Sequence, residues 1–341
     1  MHLQSIAKFR GVAIVFVLAS HCYPLAGLSF VSYTDRFLQT LITGGTSFFV
    51  FISGFLFYHV FFPRYGFRKF MRGKARKLVI PYLLLSIPPI IVLLHANARA
   101  QNLDWVHAYA LPIVKSYALG WAHTTYWYIP FVMAMFALSP LHYRFVTLRL
   151  STQLAITAVL FVVALFVQRP LEPGFIPQAL VYFTPVYLIG ILCAMHKDAI
   201  WAALKGREVI LVALALAAAV LEVAVGRHGN YNKNPFDYGG VDLMLVQKTI
   251  LCIAMMVWLH RFEATKNRTL DLLAATSFSL FFINPYVISF LFKIKLHFGL
   301  TGLTPWAAFC VASVLVVLFS VSIAVAVKKA VPKYSAYLTG Y

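Results

Sequence analysis

The stretch TPWAAFCVASVLVVLFSVSIAVAV, residues 304–327, carries no charged side chain and decides the fold class of this chain. A helix of about 20 predominantly apolar residues is long enough to cross the hydrocarbon core of a bilayer. The run exceeds that length without a charge or a proline inside its apolar part. It therefore predicts a membrane-spanning helix near the end of the sequence.

Further apolar runs reach or approach the same length between charged or Pro/Gly-rich breaks. They cover residues 11–30, 41–62, 78–95, 127–143, 152–168, 178–195, 209–225, 241–260 and 274–296. The chain of 341 residues is 61% hydrophobic and only 11% charged, whereas a soluble domain is about 25% charged. Little chain is left for a soluble domain. The sequence predicts one all-α, polytopic integral membrane bundle of about ten transmembrane helices.

The basic residues predict the orientation of this bundle. Seven cations and no acid lie between residues 63 and 77: Arg64, Arg68, Lys69, Arg72, Lys74, Arg76 and Lys77. Lys and Arg accumulate in cytoplasmic loops, so this stretch is expected on the cytoplasmic side, together with both termini. The formal net charge of +19 has the same explanation, and no nucleic-acid partner is expected. The four cysteines lack metal-ligand spacing, so no metal site is predicted.

The first predicted helix contains RGVAIVFVLASH, residues 10–21, which places two ionisable groups in or beside the membrane, Arg10 and His21. Eleven residues at 100° each turn the helix about 20° past three full turns, so both side chains project from one face, roughly 16 Å apart. Ionisable groups inside a bilayer are costly and are functional candidates. A neutral imidazole can deprotonate a sugar hydroxyl or attack a thioester. The alternative is a histidine that only joins neighbouring helices through a hydrogen bond.

The basic stretch offers a second type of chemistry. Arg72, Lys74, Arg76 and Lys77 can hold the phosphates of coenzyme A through charge-assisted hydrogen bonds. They can equally contact anionic lipid headgroups or only determine the topology. The sequence alone leaves these alternatives open.

Four more residues are candidates for substrate binding. Ser53 lies in GGTSFFVFISGFLF, residues 44–57, outside any GxSxG elbow, so it is interpreted as a polar contact and not as a nucleophile. Tyr126 and Trp127 lie at the outer edge of the fourth run, with a membrane-interface belt as the alternative. Asn284 precedes Pro285, and a proline within a span frees a carbonyl that usually faces protein or a cavity.

Two segments on the predicted outer face are longer than a turn, residues 96–126 and residues 226–240. The second reads GRHGNYNKNPFDYGG. Aromatic side chains beside Asn, Asp and His can stack on sugar rings and hydrogen-bond to their hydroxyl groups. An ordinary interfacial loop with aromatic residues at headgroup level remains the alternative.

Taken in order, these elements resemble the acyltransferase-3 family of membrane O-acyltransferases over nearly the whole chain. The matching elements are Arg10 and His21 with ten residues between them, the Phe-rich segment 48–55, the basic stretch 72–81 and the segment 127–140. The resemblance identifies residues 1–341 as a single acyltransferase-3-like transmembrane domain.

The family pattern also shows where this chain departs from it. Many members carry a histidine in the ninth helix, where this chain has Asn284. The paired arginines of the basic stretch are often closer together in the family than Arg72 and Arg76 are here. Which cations of that stretch take part is therefore open.

The resemblance implies a donor acyl-CoA on the cytoplasmic side, carrying acetyl or another short group such as succinyl, and no permanently bound cofactor. The acceptor is a hydroxyl of an exopolysaccharide, an O-antigen or a lipid-linked glycan. His21 is essential in the family, and Arg10 and the basic stretch assist. The implied location is a bacterial inner membrane, with lipids, a second copy or other glycan-assembly proteins as partners. A glycan or lipid transporter or flippase without acyl transfer is the rival hypothesis.

Overall fold

The computed structural model describes residues 3–99, 104–172, 174–299 and 302–341. Helices make up 77% of the chain. The described strands, β1 (Arg169–Pro170) and β2 (Asn232–Lys233), are two residues each and pair in parallel. The all-α fold class predicted from the apolar runs is confirmed.

Seventeen α-helices are described in chain order. They are α1 (Gln4–Ser20), α2 (Tyr23–Ala26), α3 (Tyr33–Ile42), α4 (Thr46–Leu56), α5 (Phe67–Lys74), α6 (Ile80–Arg99), α7 (Leu111–Leu119), α8 (Tyr128–Ala137), α9 (Ser139–Val146), α10 (Leu150–Val167), α11 (Ile176–Met195), α12 (Lys197–Leu204), α13 (Glu208–Ala224), α14 (Leu243–His260), α15 (Arg268–His297), α16 (Pro305–Ala330) and α17 (Ser335–Leu338). Short π-helical turns cover Phe57–Phe61, Ala75–Val79 and Val106–Ala110, and a 3-10 turn covers Phe62–Arg64.

Seven of the described helical segments are long and apolar enough to cross a membrane. They are Tyr33–Arg64, Phe67–Ala98, Leu150–Val167, Ile176–Met195, Leu243–His260, Arg268–His297 and Pro305–Ala330. Helices α8 and α9 form an eighth candidate, with a bend of 51° between them. Helices α1 and α13 are each 17 residues long. The integral membrane protein is therefore confirmed, and the total of about ten spans and the cytoplasmic termini stay predictions.

The first predicted span differs from the structure at both ends. It was expected over residues 11–30, whereas α1 begins at Gln4 and ends at Ser20, with His21 as the residue that ends the helix. Pro24 cannot continue the hydrogen-bond ladder of α1, because it has no N–H and its ring conflicts with the preceding turn. Pro24 instead sits in the first turn of α2, which ends at Gly27 in the left-handed region with φ 69°.

The basic stretch also differs from its prediction as a loop. Helix α5, a π-helical turn and α6 form one helical segment, Phe67–Ala98. No proline lies between Pro63 and Pro81, and Lys, Arg and Met are good helix formers. The cations of this stretch are therefore distributed around a helix and point in different directions.

The bundle core depends on a close approach of α4 and α11. A Cβ on Gly54 would lie 2.0 Å from the carbonyl oxygen of Tyr187, and a Cβ on Gly190 would lie 2.2 Å from that of Phe51. Small residues let membrane helices approach until their backbones touch. This contact fixes the position of α4, which contributes Phe49 and Ser53 to the site described below.

We expect Gly54→Ala to lower the stability of the bundle by about 1–3 kcal/mol, the cost of overpacking a well-packed contact. The added methyl group would meet the Tyr187 backbone, which cannot move without displacing α11. Thermal unfolding of the purified protein in detergent measures the effect. Gly73→Ala is the matched control, since nothing lies within 4 Å of a Cβ built there. Equal unfolding temperatures for the two variants would contradict this account of the crossing.

Candidate active site

Arg10 in α1 and His21 at the end of α1 line different cavities. Over the eleven residues from Arg10 to His21, an ideal helix rises roughly 16 Å along its axis. Arg10 lines a cavity of about 480 Å³. His21, at the other end of α1, borders two smaller cavities of about 30 and 190 Å³.

The large cavity, here called the basic cavity, is lined by parts of α1, α4, α5, α8 and α15. Five cations line it: Arg10, Arg64, Lys69, Lys74 and Lys77. No acidic side chain lines it among the residues that the structure describes, and the rest of the wall is mainly apolar or aromatic. A concave surface with charges of one sign attracts a multiply charged anion. An apolar wall beside it suits a ligand that is only partly charged.

Arg10 is held in the wall of the basic cavity by a neighbouring helix. One of its terminal guanidinium nitrogens donates to the carbonyl oxygen of Ala274. The hydroxyl of Ser277 donates to the same carbonyl at 3.0 Å. Arg10 Nε is buried and has no hydrogen-bond partner among the described residues. A buried donor without a partner calls for a ligand or a functional reason, and this one belongs to a cation at the cavity wall.

Lys74 lies in an aromatic box beside the same cavity. Its Nζ lies 4.6, 5.3 and 4.4 Å from the ring centroids of Phe61, Phe70 and Phe136. Aromatic faces stabilise a cation without neutralising it. The three rings therefore hold the Lys74 Nζ at the cavity wall, where no described acidic side chain forms an ion pair with it.

The structure divides the four predicted phosphate-binding cations into two pairs. Lys74 and Lys77 line the basic cavity, whereas Arg72 and Arg76 do not line it. The guanidinium of Arg76 instead lies 4.5 Å from the ring centroid of Tyr337.

The reason for this division is helical periodicity. Members of the wall between residues 66 and 78 recur at helical spacing: Gly66, Lys69, Phe70, Gly73, Lys74, Lys77 and Leu78. Residues at i, i+3, i+4 and i+7 share one helix face. Had the stretch been interpreted as a helix, the same spacing would have identified Lys69.

His21 lies in a polar environment at the opposite end of α1. The cavity of about 190 Å³, here called the polar cavity, is lined by seven polar side chains and by Trp127: Ser20, His21, Thr43, Thr46, Arg169, Asn230 and Asn232. The imidazole of His21 has no hydrogen-bond partner among the described residues, so both its nitrogens are available. Hydroxyl, amide and guanidinium groups around an aromatic ring are suited to a polyhydroxylated ligand.

The guanidinium of Arg169 helps to shape the polar cavity. It donates to Asn230 Oδ1 and lies 5.6 and 5.5 Å from the ring centroids of Trp127 and Phe183. Arg169 was not predicted as a site residue. It belongs to β1, which lies between two apolar runs and whose neighbours across space are distant in sequence.

A narrow cavity of about 30 Å³ lies between the basic and polar cavities. It shares Phe49, Tyr128 and Phe278 with the basic cavity and His21 and Trp127 with the polar cavity. It is the smallest of the three cavities. His21 is thus separated from the basic cavity by an aromatic constriction, and it faces the polar cavity directly.

The four predicted substrate-binding residues take different places. Ser53 lines the basic cavity, and Trp127 lines both cavities that border His21. Tyr126 and Asn284 are fully buried and line none of the cavities described here. Tyr126 donates to the carbonyl oxygen of Phe282 at 2.9 Å, and Asn284 Nδ2 donates to that of Phe281 at 2.7 Å.

Two buried charges inside the helices were not singled out from the sequence. Lys248 Nζ donates to the carbonyl oxygens of Thr40 at 2.9 Å and Leu41 at 2.8 Å, at the end of α3. The next residues, 43–46, line the polar cavity, so Lys248 holds one of its walls. Glu222 of α13 is completely buried. Both interrupt predicted apolar runs, and the rule that singled out Arg10 and His21 would have found them.

Comparison with known proteins gives one family. The family model for an acyltransferase domain, acyltransferase-3, matches residues 4–325. No curated protein and no solved structure matches the chain. The matched region contains every residue of the basic, narrow and polar cavities.

Proposed function

This chain belongs to the acyltransferase-3 family, and from that premise we propose that it is a membrane O-acyltransferase for saccharides. It moves an acetyl group, or another short acyl group, from acyl-CoA to a sugar hydroxyl. The observation that carries the proposal is the position of His21 between an aromatic constriction, which leads to a basic cavity, and a cavity lined by polar groups. Each substrate then has a cavity whose chemistry matches it.

The donor is acyl-CoA, which is a substrate and not a bound cofactor. Its phosphates are multiply charged and suit the five cations of the basic cavity, with which they form charge-assisted hydrogen bonds. The apolar walls suit the uncharged parts of the molecule. The positive-inside rule places the cations of residues 64–77 on the cytoplasmic side, where acyl-CoA is found. A bacterial inner membrane is the proposed location, with membrane lipids and the acceptor glycan as the other partners.

Two chemical routes are consistent with His21. In the first, the imidazole takes the proton of the sugar hydroxyl while the oxygen attacks the thioester carbonyl. The new C–O bond forms, the C–S bond breaks, and the proton passes to the departing thiolate to give CoA-SH. In the second, the unprotonated imidazole nitrogen attacks the thioester carbonyl, the C–S bond breaks, and the N–H proton of the other ring nitrogen passes to the thiolate, so that an acyl-imidazole forms and CoA-SH leaves; the sugar hydroxyl proton returns to the ring in the next step. The sugar oxygen then attacks that carbonyl, and the C–N bond breaks.

The narrow cavity supports a short acyl group. Phe278 and Phe49 form part of its wall, which His21 also lines. A pocket wall discriminates by about 1–3 kcal/mol for each methylene group that it excludes. We therefore propose acetyl as the transferred group, with succinyl as the longer alternative.

We expect Phe278→Ala to widen the constriction and to reduce the preference for acetyl-CoA over butyryl-CoA by about tenfold. Initial rates with the two donors at a fixed acceptor concentration give the ratio of kcat/KM. Phe290→Ala is the matched control, because Phe290 lies on the same helix but is exposed and lines none of these cavities. An unchanged ratio in the Phe278 variant would show that acyl length is selected elsewhere.

The proposed reaction is tested by mass analysis of surface glycans from cells with and without the gene, combined with purified protein and labelled acetyl-CoA. Acyl transfer predicts a glycan modification that needs the gene, and labelled glycan in vitro together with stoichiometric release of CoA-SH. A glycan or lipid transporter would move its substrate without consuming acyl-CoA, and that outcome would overturn the proposal.

A further inference from the structure

A second polar cavity adjoins the one that contains His21. It has a volume of about 400 Å³ and is formed by Gln168 and the segment 226–239. We call it the vestibule. It shares Asn230 and Asn232 with the polar cavity, so the two form neighbouring compartments on the side away from the basic cavity. A volume of 400 Å³ lies within the range of roughly 300–1,000 Å³ that is common for ligand sites.

The segment that forms the vestibule is held in one conformation by several bonds. Its β2 strand pairs with β1, through the bond from Arg169 N to Tyr231 O at 3.0 Å and that from Leu171 N to Lys233 O at 3.2 Å. Gln168 Nε2 donates to the carbonyl oxygens of Gly239 at 3.1 Å and Gly240 at 2.8 Å. A surface segment fixed in this way presents its side chains with little ordering cost on binding.

One cation of the vestibule is used within the segment itself. Lys233 Nζ donates to the carbonyl oxygens of Asn234 and Pro235, both at 3.3 Å, and to that of Asp237. Its ammonium is therefore engaged in shaping the loop. The remaining wall carries one further cation, Arg227, whose guanidinium lies 4.7 Å from the ring centroid of Tyr231, and it otherwise consists mainly of groups that donate and accept hydrogen bonds.

The groups that remain at the wall are suited to a polyhydroxylated ligand. Asn230 and Asn232 offer amide groups that both donate and accept. Tyr231 also lines the cavity, is only 4% exposed, and has a hydroxyl with no hydrogen-bond partner among the described residues. Tyr238 lines the cavity and is 90% exposed, so its ring is free to stack on a ligand. Sugar hydroxyls also both donate and accept, whereas a phosphate group requires donors alone.

We infer that the vestibule binds the part of the acceptor glycan next to the acylated sugar, so that the acceptor is an oligosaccharide of at least two sugar residues. The inference rests on the proposed function, which places the reacting hydroxyl beside His21. The polar cavity of about 190 Å³ holds the reacting sugar ring, and the shared Asn230 and Asn232 contact both rings. The vestibule then selects the acceptor by its neighbouring sugars.

The test uses the full-length protein in lipid nanodiscs and two kinds of measurement. The probe is glycan released by mild acid from the envelope of cells that lack the gene, separated into single sugars and longer fragments. Transfer kinetics with labelled acetyl-CoA give KM for the glycan, and direct binding of the labelled glycan is measured without donor. We expect Tyr238→Ala and Asn232→Ala to raise KM for the longer fragments about tenfold, with KM for acetyl-CoA unchanged.

Phe236→Ala is the matched control on the same segment. Phe236 is 99% exposed and does not line the vestibule, so its variant is expected to behave like the wild type. The wild type is also expected to prefer the longer fragments over single sugars by a factor that falls in the Tyr238 variant. Equal effects of Tyr238→Ala and Phe236→Ala, or equal KM values for single sugars and longer fragments, would overturn the inference.

The two hypotheses fail in different ways. Transfer that continues with unchanged glycan KM in the vestibule variants removes the vestibule inference and leaves the acyltransferase. Glycan binding that is weakened by Tyr238→Ala, in a protein that transfers no acyl group from acetyl-CoA, removes the proposed reaction and leaves a glycan-binding site.

Discussion

Replacing His21 with alanine should reduce acyl transfer to glycan by about 10²–10⁴-fold, the contribution typical of a positioned general acid or base. The expectation follows from the place of the imidazole, since His21 borders both the aromatic constriction and the polar cavity. If the side chain carries the acyl group as a nucleophile, the loss is at least as large. Release of CoA-SH and labelling of glycan from labelled acetyl-CoA measure the effect.

The fold and the donor site should survive this substitution. The imidazole of His21 makes no hydrogen bond among the described residues, and the basic cavity lies at the other end of α1. We therefore expect His21→Ala to retain the wild-type unfolding temperature and the thermal shift caused by coenzyme A. Folded protein that transfers acyl groups at the wild-type rate would show that His21 is not the catalytic residue.

The same assay distinguishes the two routes. Labelled acetyl-CoA is added without acceptor, and the protein is analysed for an acetyl group on a histidine. Acetyl-histidine that is absent from the His21→Ala variant and is discharged when glycan is added identifies an acyl carrier. Labelled product that forms only when both substrates are present, with no labelled protein, identifies a general base.

The positions of most helices could be predicted from the sequence because the apolar runs are long. The run 304–327 corresponds to α16 (Pro305–Ala330), and the run 178–195 corresponds to α11 (Ile176–Met195). Helix ends were less certain, as the early end of α1 at Ser20 shows. Pro24, four residues after Ser20, prevents α1 from continuing. The apolar character of residues 11–30 does not reveal where the helix ends.

The candidate site was predictable only where its residues share one helix. Arg10 lies in α1 and His21 ends that helix, so helical spacing relates the two residues without knowledge of how the helices pack. The partners of His21 in the polar cavity, such as Thr43, Arg169 and Asn230, come from separate elements. Their proximity depends on how helices pack and on the pairing of two short strands, and the hydrophobic period of a single helix contains no information about either.

The basic stretch combines both situations. The sequence shows its charge but predicts a loop, and in a loop the cations have no fixed direction. In the helix that actually forms, Lys69, Lys74 and Lys77 line the basic cavity, while Arg68 and Arg72 do not. The cations that line the cavity and those that do not alternate along one helical segment. Variants of the two groups therefore remove the same charge and differ only in the direction of the side chains.

Replacing Lys69, Lys74 and Lys77 together with glutamine should therefore raise KM for acyl-CoA by roughly a thousandfold. A hydrogen bond to a charged group contributes about 1.5–3 kcal/mol, and 1.4 kcal/mol corresponds to a factor of ten in affinity. The matched control replaces Arg68, Arg72 and Arg76 with glutamine, which removes the same number of charges from the same helical segment. That control is expected to change KM for acyl-CoA less than threefold, within the range of weak surface electrostatics.

Ionic strength provides an independent check of the same assignment. Exposed charges are screened at about 0.15 M salt over roughly 8 Å, whereas charges in contact with a ligand in a partly buried cavity are screened less. The difference in KM between the two triple variants should thus persist as salt rises, because it reflects contacts and not general attraction. Similar KM values for the two variants would mean that acyl-CoA is attracted by the net charge of the helical segment, and the basic cavity would then not be the donor site.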